Sequence, residues 1–143
     1  MGVESAVVLP EPEPVAFLCS SDSSINSLVN NARKASSGNN FILLLDNRHE
    51  VPERLLPAYL NAYIRGMEKR KRSGSLQIEL LLFIAGTFKI NKAISDYGAK
   101  RNRDFILVGN NEESSRKYAR QNNVRIRKRL RLRFGAEYLP VIE

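Results

Sequence analysis

The sequence predicts an α+β fold: one domain over residues 1–143, with a small mixed or antiparallel β-sheet packed with several helices. Three observations predict it. Compact apolar runs of strand length stand at Val15–Cys19, Phe41–Leu45 and Asp104–Gly109, each bounded by turn-forming residues. Between and beyond them, apolar residues recur at i, i+3, i+4 and i+7, the spacing of a helix with one buried face. No internal repeat or low-complexity tract interrupts this mixture, and 143 residues suffice for one domain with a real core.

The elements follow in order. Val15–Cys19 comes after the proline-spaced segment PEPEP, which reads as a loop or edge. Asp22-Ser23-Ser24 offers a helix N-cap, and Ile25, Leu28, Val29 and Ala32 form the stripe of a helix that ends in the loop Ser36–Asn40. Phe41–Leu45 is stopped by Asp46-Asn47. A longer helix begins between Val51 and Pro57, where prolines are tolerated because first-turn N–H groups lack intrahelical partners. Its apolar positions are Leu56, Leu60, Tyr63 and Met67, and it ends in the cationic run Lys69-Arg70-Lys71-Arg72 before a break at Ser73-Gly74-Ser75.

Leu76–Ile84 is apolar on nearly every side. Ile78, Leu80, Leu82 and Ile84 also alternate as in a strand, but a leucine-rich run without valine favours a buried helix. After Gly86-Thr87, Ile90, Ala93, Ile94 and Tyr97 mark a one-faced helix, and Gly98 stands where a left-handed cap is expected. Glu112–Gln121 reads as a polar helix. In the last segment Arg125, Arg127, Arg129, Arg131 and Arg133 alternate with Val124, Ile126, Leu130, Leu132 and Phe134, broken only by Lys128. Period two predicts a strand with five guanidiniums on one face and an apolar row on the other.

The charge is unevenly placed. Residues 1–64 carry four Lys/Arg against seven Asp/Glu, a net of −3, whereas residues 65–143 carry nineteen against eight, a net of +11. Such asymmetry suggests one face for a polyanion, the alternative being a solvated surface suited to heat or salt. The cations are bunched at Arg65–Arg72 and Arg125–Arg133, with Lys89, Lys92, Lys100, Arg101 and Arg103 between, which favours phosphate binding. Tyr59 and Tyr63 lie one turn apart, as stacking platforms for bases or as core residues.

Catalytic chemistry has little to stand on. His49 is the single histidine, so no second histidine is available for a relay or a His-based metal cluster. Neither a phosphate-binding GxxxxGK[ST] nor a dinucleotide GxGxxG occurs. Cys19, the single cysteine, reads as a small buried hydrophobe. Glu79 is the one carboxylate inside an apolar run; it either contacts a ligand or faces a crevice paired with a basic neighbour. We expect a protein that is not an enzyme, with no cofactor and no metal. The N-terminus lacks a basic leader region and no apolar run approaches the roughly 18 residues a bilayer needs, so no membrane partner and a cytoplasmic location are expected.

Leu76–Lys100 resembles a known family, the small kinase-binding subunit of the KEOPS complex, called PRPK-binding protein in animals. The resemblance is carried by Glu79 within an apolar helix, Gly86 at the break, Ile90-x-x-Ala93 opening the next helix, and Gly98-Ala99-Lys100 closing it. Upstream, Arg48-His49 before a long helix ending near Gly66 is similar to archaeal members, and the similarity extends over Phe41–Gly109. One departure is Phe88-Lys89, where archaeal relatives tend to have Arg-Gln before the isoleucine; lysine does not replace a bidentate arginine.

The resemblance implies a non-catalytic subunit of a machine that installs threonylcarbamoyladenosine in tRNA. Its partners would be the small atypical kinase/ATPase subunit, which it stimulates, and tRNA, held by the single-stranded CCA tail. Carried onto this chain, the tail-binding set is Arg48, His49, Ser75, Glu79, Gly86 and Lys89. Backbone contacts to RNA fall to Arg65, Lys69, Arg70, Lys71, Arg72 and Lys92, and kinase docking to Phe83, Ile84, Ile90 and Ile94. The competing expectation is a stand-alone basic RNA-binding module, associated for instance with the ribosome.

Overall fold

A computed structural model describes residues 13–37, 40–67 and 75–133. Among the described residues four strands and five helices form in the order β1 (Val15–Ser21), α1 (Ile25–Lys34), β2 (Ile42–Leu45), α2 (Val51–Met67), α3 (Leu76–Ala85), α4 (Ile90–Tyr97), β3 (Phe105–Gly109), α5 (Glu112–Gln121) and β4 (Val124–Arg129). The strands make one antiparallel sheet in the order β2-β3-β1-β4. This is the expected α+β class. The run Lys69–Arg72, the Ser73-Gly74 part of the break and Phe134 lie outside the described residues.

Both faces of the sheet are covered, which explains why its inner strands are apolar throughout instead of alternating. Ala16, Leu43, Leu45, Ile106 and Val108 point to the layer of α2, α3 and α4. Phe17, Cys19, Ile42, Leu44, Phe105 and Leu107 point the other way, to α1 and α5. Burial pushes the Cys19 thiol up to about 12, so it is a packing group and not a nucleophile. Tyr59 is only 2% exposed and packs beside Phe41, which settles its role as core.

Helix ends follow capping rules. The Ser24 hydroxyl accepts from the Ser27 N–H, Ser75 from Ile78, and the Asn111 side chain from Ser114. α3 resolves the strand-or-helix ambiguity: it is a helix buried on most of its surface, with Leu80, Leu82 and Ile84 all at 2% exposure or less. α2 starts at Val51, so Pro52 sits in its first turn and Pro57 lies inside it.

Two expectations about backbone geometry fail. Gly98 is not left-handed; its backbone is extended (φ −69°, ψ 148°), and it is tied by its N–H to the Ile94 carbonyl. What excludes a side chain is proximity, because a Cβ there would lie 2.7 Å from the Ile94 carbonyl oxygen. The left-handed cap is Gly86, at φ 72°.

The arginine row also departs from its expected geometry. A bulge interrupts the β1–β4 register: Cys19 opposes Ile126, but Leu18 opposes Lys128, so Arg127 is the extra residue. The period therefore slips by one. Arg125 opposes Ser20, whereas Arg129 opposes Phe17 on the α5 face and reaches Glu112 at 2.9 Å. The strand ends at Arg129, and Leu130 and Leu132 turn in against the α2–α4 layer. Four of the five guanidiniums are engaged by acids, Arg125 by Asp22, Arg127 by Asp104, Arg129 by Glu112 and Arg133 by Glu53. No single cationic face results.

Candidate partner and nucleic-acid interface

The turn between α3 and α4 is built by one glycine and one threonine. Gly86 adopts the left-handed conformation that lets its N–H and that of Thr87 both return to the Leu82 carbonyl. The Thr87 hydroxyl then accepts from the Lys89 N–H at 3.1 Å, starting α4. Phe88 is thrown outward between these two fixed points and is 54% exposed. α4 buries Ala93 and Tyr97 and leaves Ile90 and Ile94, one turn apart, 40% and 47% exposed. Phe88, Ile90 and Ile94 are the exposed large hydrophobic side chains among the described residues.

Behind Phe88 lies an aromatic and cationic stack. Its ring meets Phe83 edge-on at 6.4 Å between centroids, and the Arg65 guanidinium sits 5.6 Å from the Phe88 centroid and 5.9 Å from that of Phe83. Arg65 Nε also donates to Glu79 Oε1 at 3.2 Å, and the Glu79 side chain is fully buried. Glu79 thus holds the C-terminal end of α2 to α3, with no face open to a crevice. This corrects its expected place in a tail pocket.

A second cluster pins the other end of α4. The Tyr97 hydroxyl donates to Glu50 Oε2 at 2.8 Å, and Arg48 Nε donates to the same oxygen at 2.9 Å. Arg48 also lies 4.5 Å over the Tyr97 ring and donates to the Asp96 carbonyl at 3.1 Å. Arg54 bridges the layer, bonding the Ile84 carbonyl at 3.1 Å and the Tyr97 hydroxyl. Burial pushes the Glu50 carboxyl up, but the hydrogen bonds from Tyr97 and Arg48 and the Arg48 charge outweigh it and hold the group down at about 2. Tyr97 is raised, first by burial and then by its bond to Glu50, while the bond to Glu50 raises Arg48.

Between α2 and the end of α3 runs an open cleft of about 270 Å³, lined by Arg54, Asn61, Phe83 and Gly86 among others. That volume suits a single flat group such as a base or an aromatic side chain, being just below the usual range of ligand pockets.

The expected tail-binding residues do not converge on one cavity. α2 has 17 residues and so spans about 25 Å; Arg48 and His49 precede its start, whereas Ser75 and Glu79 lie by its far end. His49 is 99% exposed, 3.5 Å from Glu50 Oε1. Ser75 is occupied as the α3 cap, and only Gly86 lines the cleft, with Lys89 exposed just beyond Phe88. Of the expected docking residues, Ile90 and Ile94 are exposed and Phe83 is half-buried, but Ile84 is 1% exposed and belongs to the core. Lys92 is exposed and pairs with Asp96 at 3.2 Å.

Sequence reasoning missed Phe88 as a surface residue. Its signal was available: a large aromatic in a turn, directly before a helix start, where polar residues are the rule. It also missed the Glu50–Arg54–Tyr97 cluster, in which Tyr97 lies 47 residues from Glu50 and 43 from Arg54. Among the described residues no group of three or more His, Cys, Asp or Glu could hold a metal ion, and no helix is long and apolar enough to cross a membrane. Comparison with family models and with curated proteins finds no match for the chain.

Proposed function

We propose that this chain is a non-catalytic docking and RNA-binding subunit of the KEOPS type. In this reading it engages a small atypical kinase/ATPase through the outer face of α4 and recruits tRNA by its single-stranded CCA end. The observation that carries the proposal is the exposed apolar face Phe88, Ile90 and Ile94. Among the described residues these are the large apolar side chains left exposed, Phe88 in the turn and Ile90 and Ile94 on a helix tied down at both ends. Such patches mark contact with another macromolecule. The resemblance over Leu76–Lys100 names the class of partner, and the same segment carries the patch.

The tail grip is assigned to the cleft beside Gly86. Phe83 lines this cleft and offers its ring to an unstacked base, with Arg54 in the wall and Lys89 exposed just beyond Phe88 as the cations. Arg48, Ser75 and Glu79 act on this site through the fold, as anchors of α4, α3 and α2, and not by touching RNA.

Two measurements test the reading. Affinity purification from native extract should recover a small kinase with the wild-type chain and lose it with Ile94→Asp. Binding of intact tRNA should exceed that of tRNA trimmed of its CCA end. Equal binding of the two RNAs together with no co-purifying kinase would replace this reading with the stand-alone RNA-binding module.

A further inference from the structure

At the end of β1, where the Lys100–Asp104 loop bonds to Ser20 and Ser21, two open cavities adjoin. The first, about 710 Å³, is lined by Ser24 and Ile25 at the start of α1 and by the loop Lys100–Asp104. The second, about 560 Å³, shares Arg103 and Asp104 with it and continues past Arg125 and Arg127 of β4. Five cations therefore border these two adjoining cavities, which together make the groove considered below. Two acids partly offset them: Asp22 pairs with Arg125 at 3.2 Å and Asp104 with Arg127 at 3.1 Å. Lys100, Arg101 and Arg103 are exposed and make no ion pair among the described residues.

The loop that carries these three is held in place. The Asn102 carbonyl accepts from the Ser21 N–H at 2.8 Å, and its side chain donates to the Ser23 carbonyl at 3.2 Å. Asp104, at φ 51°, takes the left-handed turn that Asp tolerates, and its N–H donates to Ser20 Oγ at 3.3 Å. The backbone is thus fixed at the end of β1 while the cationic side chains extend into water. Pre-positioned cations lose less entropy on meeting a ligand than cations on a loose loop.

We infer that this groove is a binding site for the phosphate backbone of RNA, separate from the α3–α4 cleft. A single phosphate would fill part of one cavity, whereas the cations extend along both. Arginine forks suit phosphate oxygens, and no aromatic ring lines either cavity, so the groove neutralises a backbone without reading bases. The first turn of α1 adds the positive end of a helix dipole. The inference shares RNA as the ligand with the proposed function but needs neither the tail grip nor the kinase.

The test is the salt dependence of binding to a labelled tRNA transcript, intact and CCA-trimmed, for the full chain and for the triple variant Lys100→Ala/Arg101→Ala/Arg103→Ala. A control triple, Arg33→Ala/Lys34→Ala/Arg120→Ala, removes the same charge from exposed helix positions. The groove variant should bind both RNAs more weakly, and its slope of log K against log salt should shrink by about 2, at about 0.7 per lost phosphate contact. The control should retain most of the wild-type slope. An unchanged slope in the groove variant, an equal loss in the control, or a loss confined to intact tRNA would overturn the inference. So would tighter binding to vesicles rich in phosphatidylserine than to either RNA. A loss shared by both RNAs upholds the groove even if they bind equally, the result that defeats the tail reading.

Discussion

Acid should release α4 in a pH window set by one carboxylate. Glu50 Oε2 accepts from Tyr97 and Arg48, and its side chain is 13% exposed. Its pKa falls from 4.5 to about 2 in the folded chain. Because the folded value is the lower one, the contribution to stability is complete above about pH 4.5 and is lost as the pH falls towards about 2. At about 1.4 kcal/mol per pH unit, that contribution is about 3 kcal/mol at neutral pH. Glu50→Gln keeps the shape but removes the charge, so it should cost about 2–3 kcal/mol near neutrality and very little near pH 2. Urea unfolding read by circular dichroism supplies the measurement, with midpoints about 1 M or more apart at neutral pH and converging in acid. Wild type and variant losing stability in parallel as the pH falls would refute the reasoning, since Glu50 would then carry none of the acid sensitivity.

Three further outcomes are expected. Ile94→Asp should leave the unfolding free energy within about 0.5 kcal/mol of wild type, because the residue is a surface one; the proposed docking role requires it to weaken binding of a small atypical kinase at least tenfold by isothermal titration. Leu80→Ala removes a side chain with no exposed surface and should cost about 2–5 kcal/mol in chemical denaturation. Gly98→Ala, whose new Cβ would meet a backbone oxygen at 2.7 Å, should lower stability by about 1–3 kcal/mol in the same assay; a neutral result would show that the α4 end relaxes freely.

The elements were legible where their signals are local. Strand runs such as Phe105–Gly109 and capped helices such as Ile25–Lys34 need only short-range pattern and cap chemistry, and they formed within a residue or two of expectation. Features created by pairing were not legible. The bulge opposite Leu18 and Cys19 depends on cross-strand register, so the arginine row looked continuous in sequence and is split in space. Glu79 was visible as an oddity, but Arg65, 14 residues away, decides that it is a structural clamp. Gly98 looked like a conformational cap because spacing cannot distinguish a left-handed turn from a close backbone approach. The exposed apolar face was half legible: Ile90 and Ile94 share a helix spacing with Ala93 and Tyr97, and only the packed fold tells which pair faces water.

The strand order has a consequence for how the chain is made. Of the four strands described, β1 is synthesised before the other three, yet one of its edges waits for β4, about a hundred residues later, to pair with it. During that interval VAFLC presents open N–H and C=O groups on an apolar strand, the template on which nascent chains associate wrongly. The arriving strand seals the edge with VRIRKR, whose cations then form the outermost rim of the sheet. A chain released before Val124 would therefore be expected to aggregate, with this edge of β1 still open.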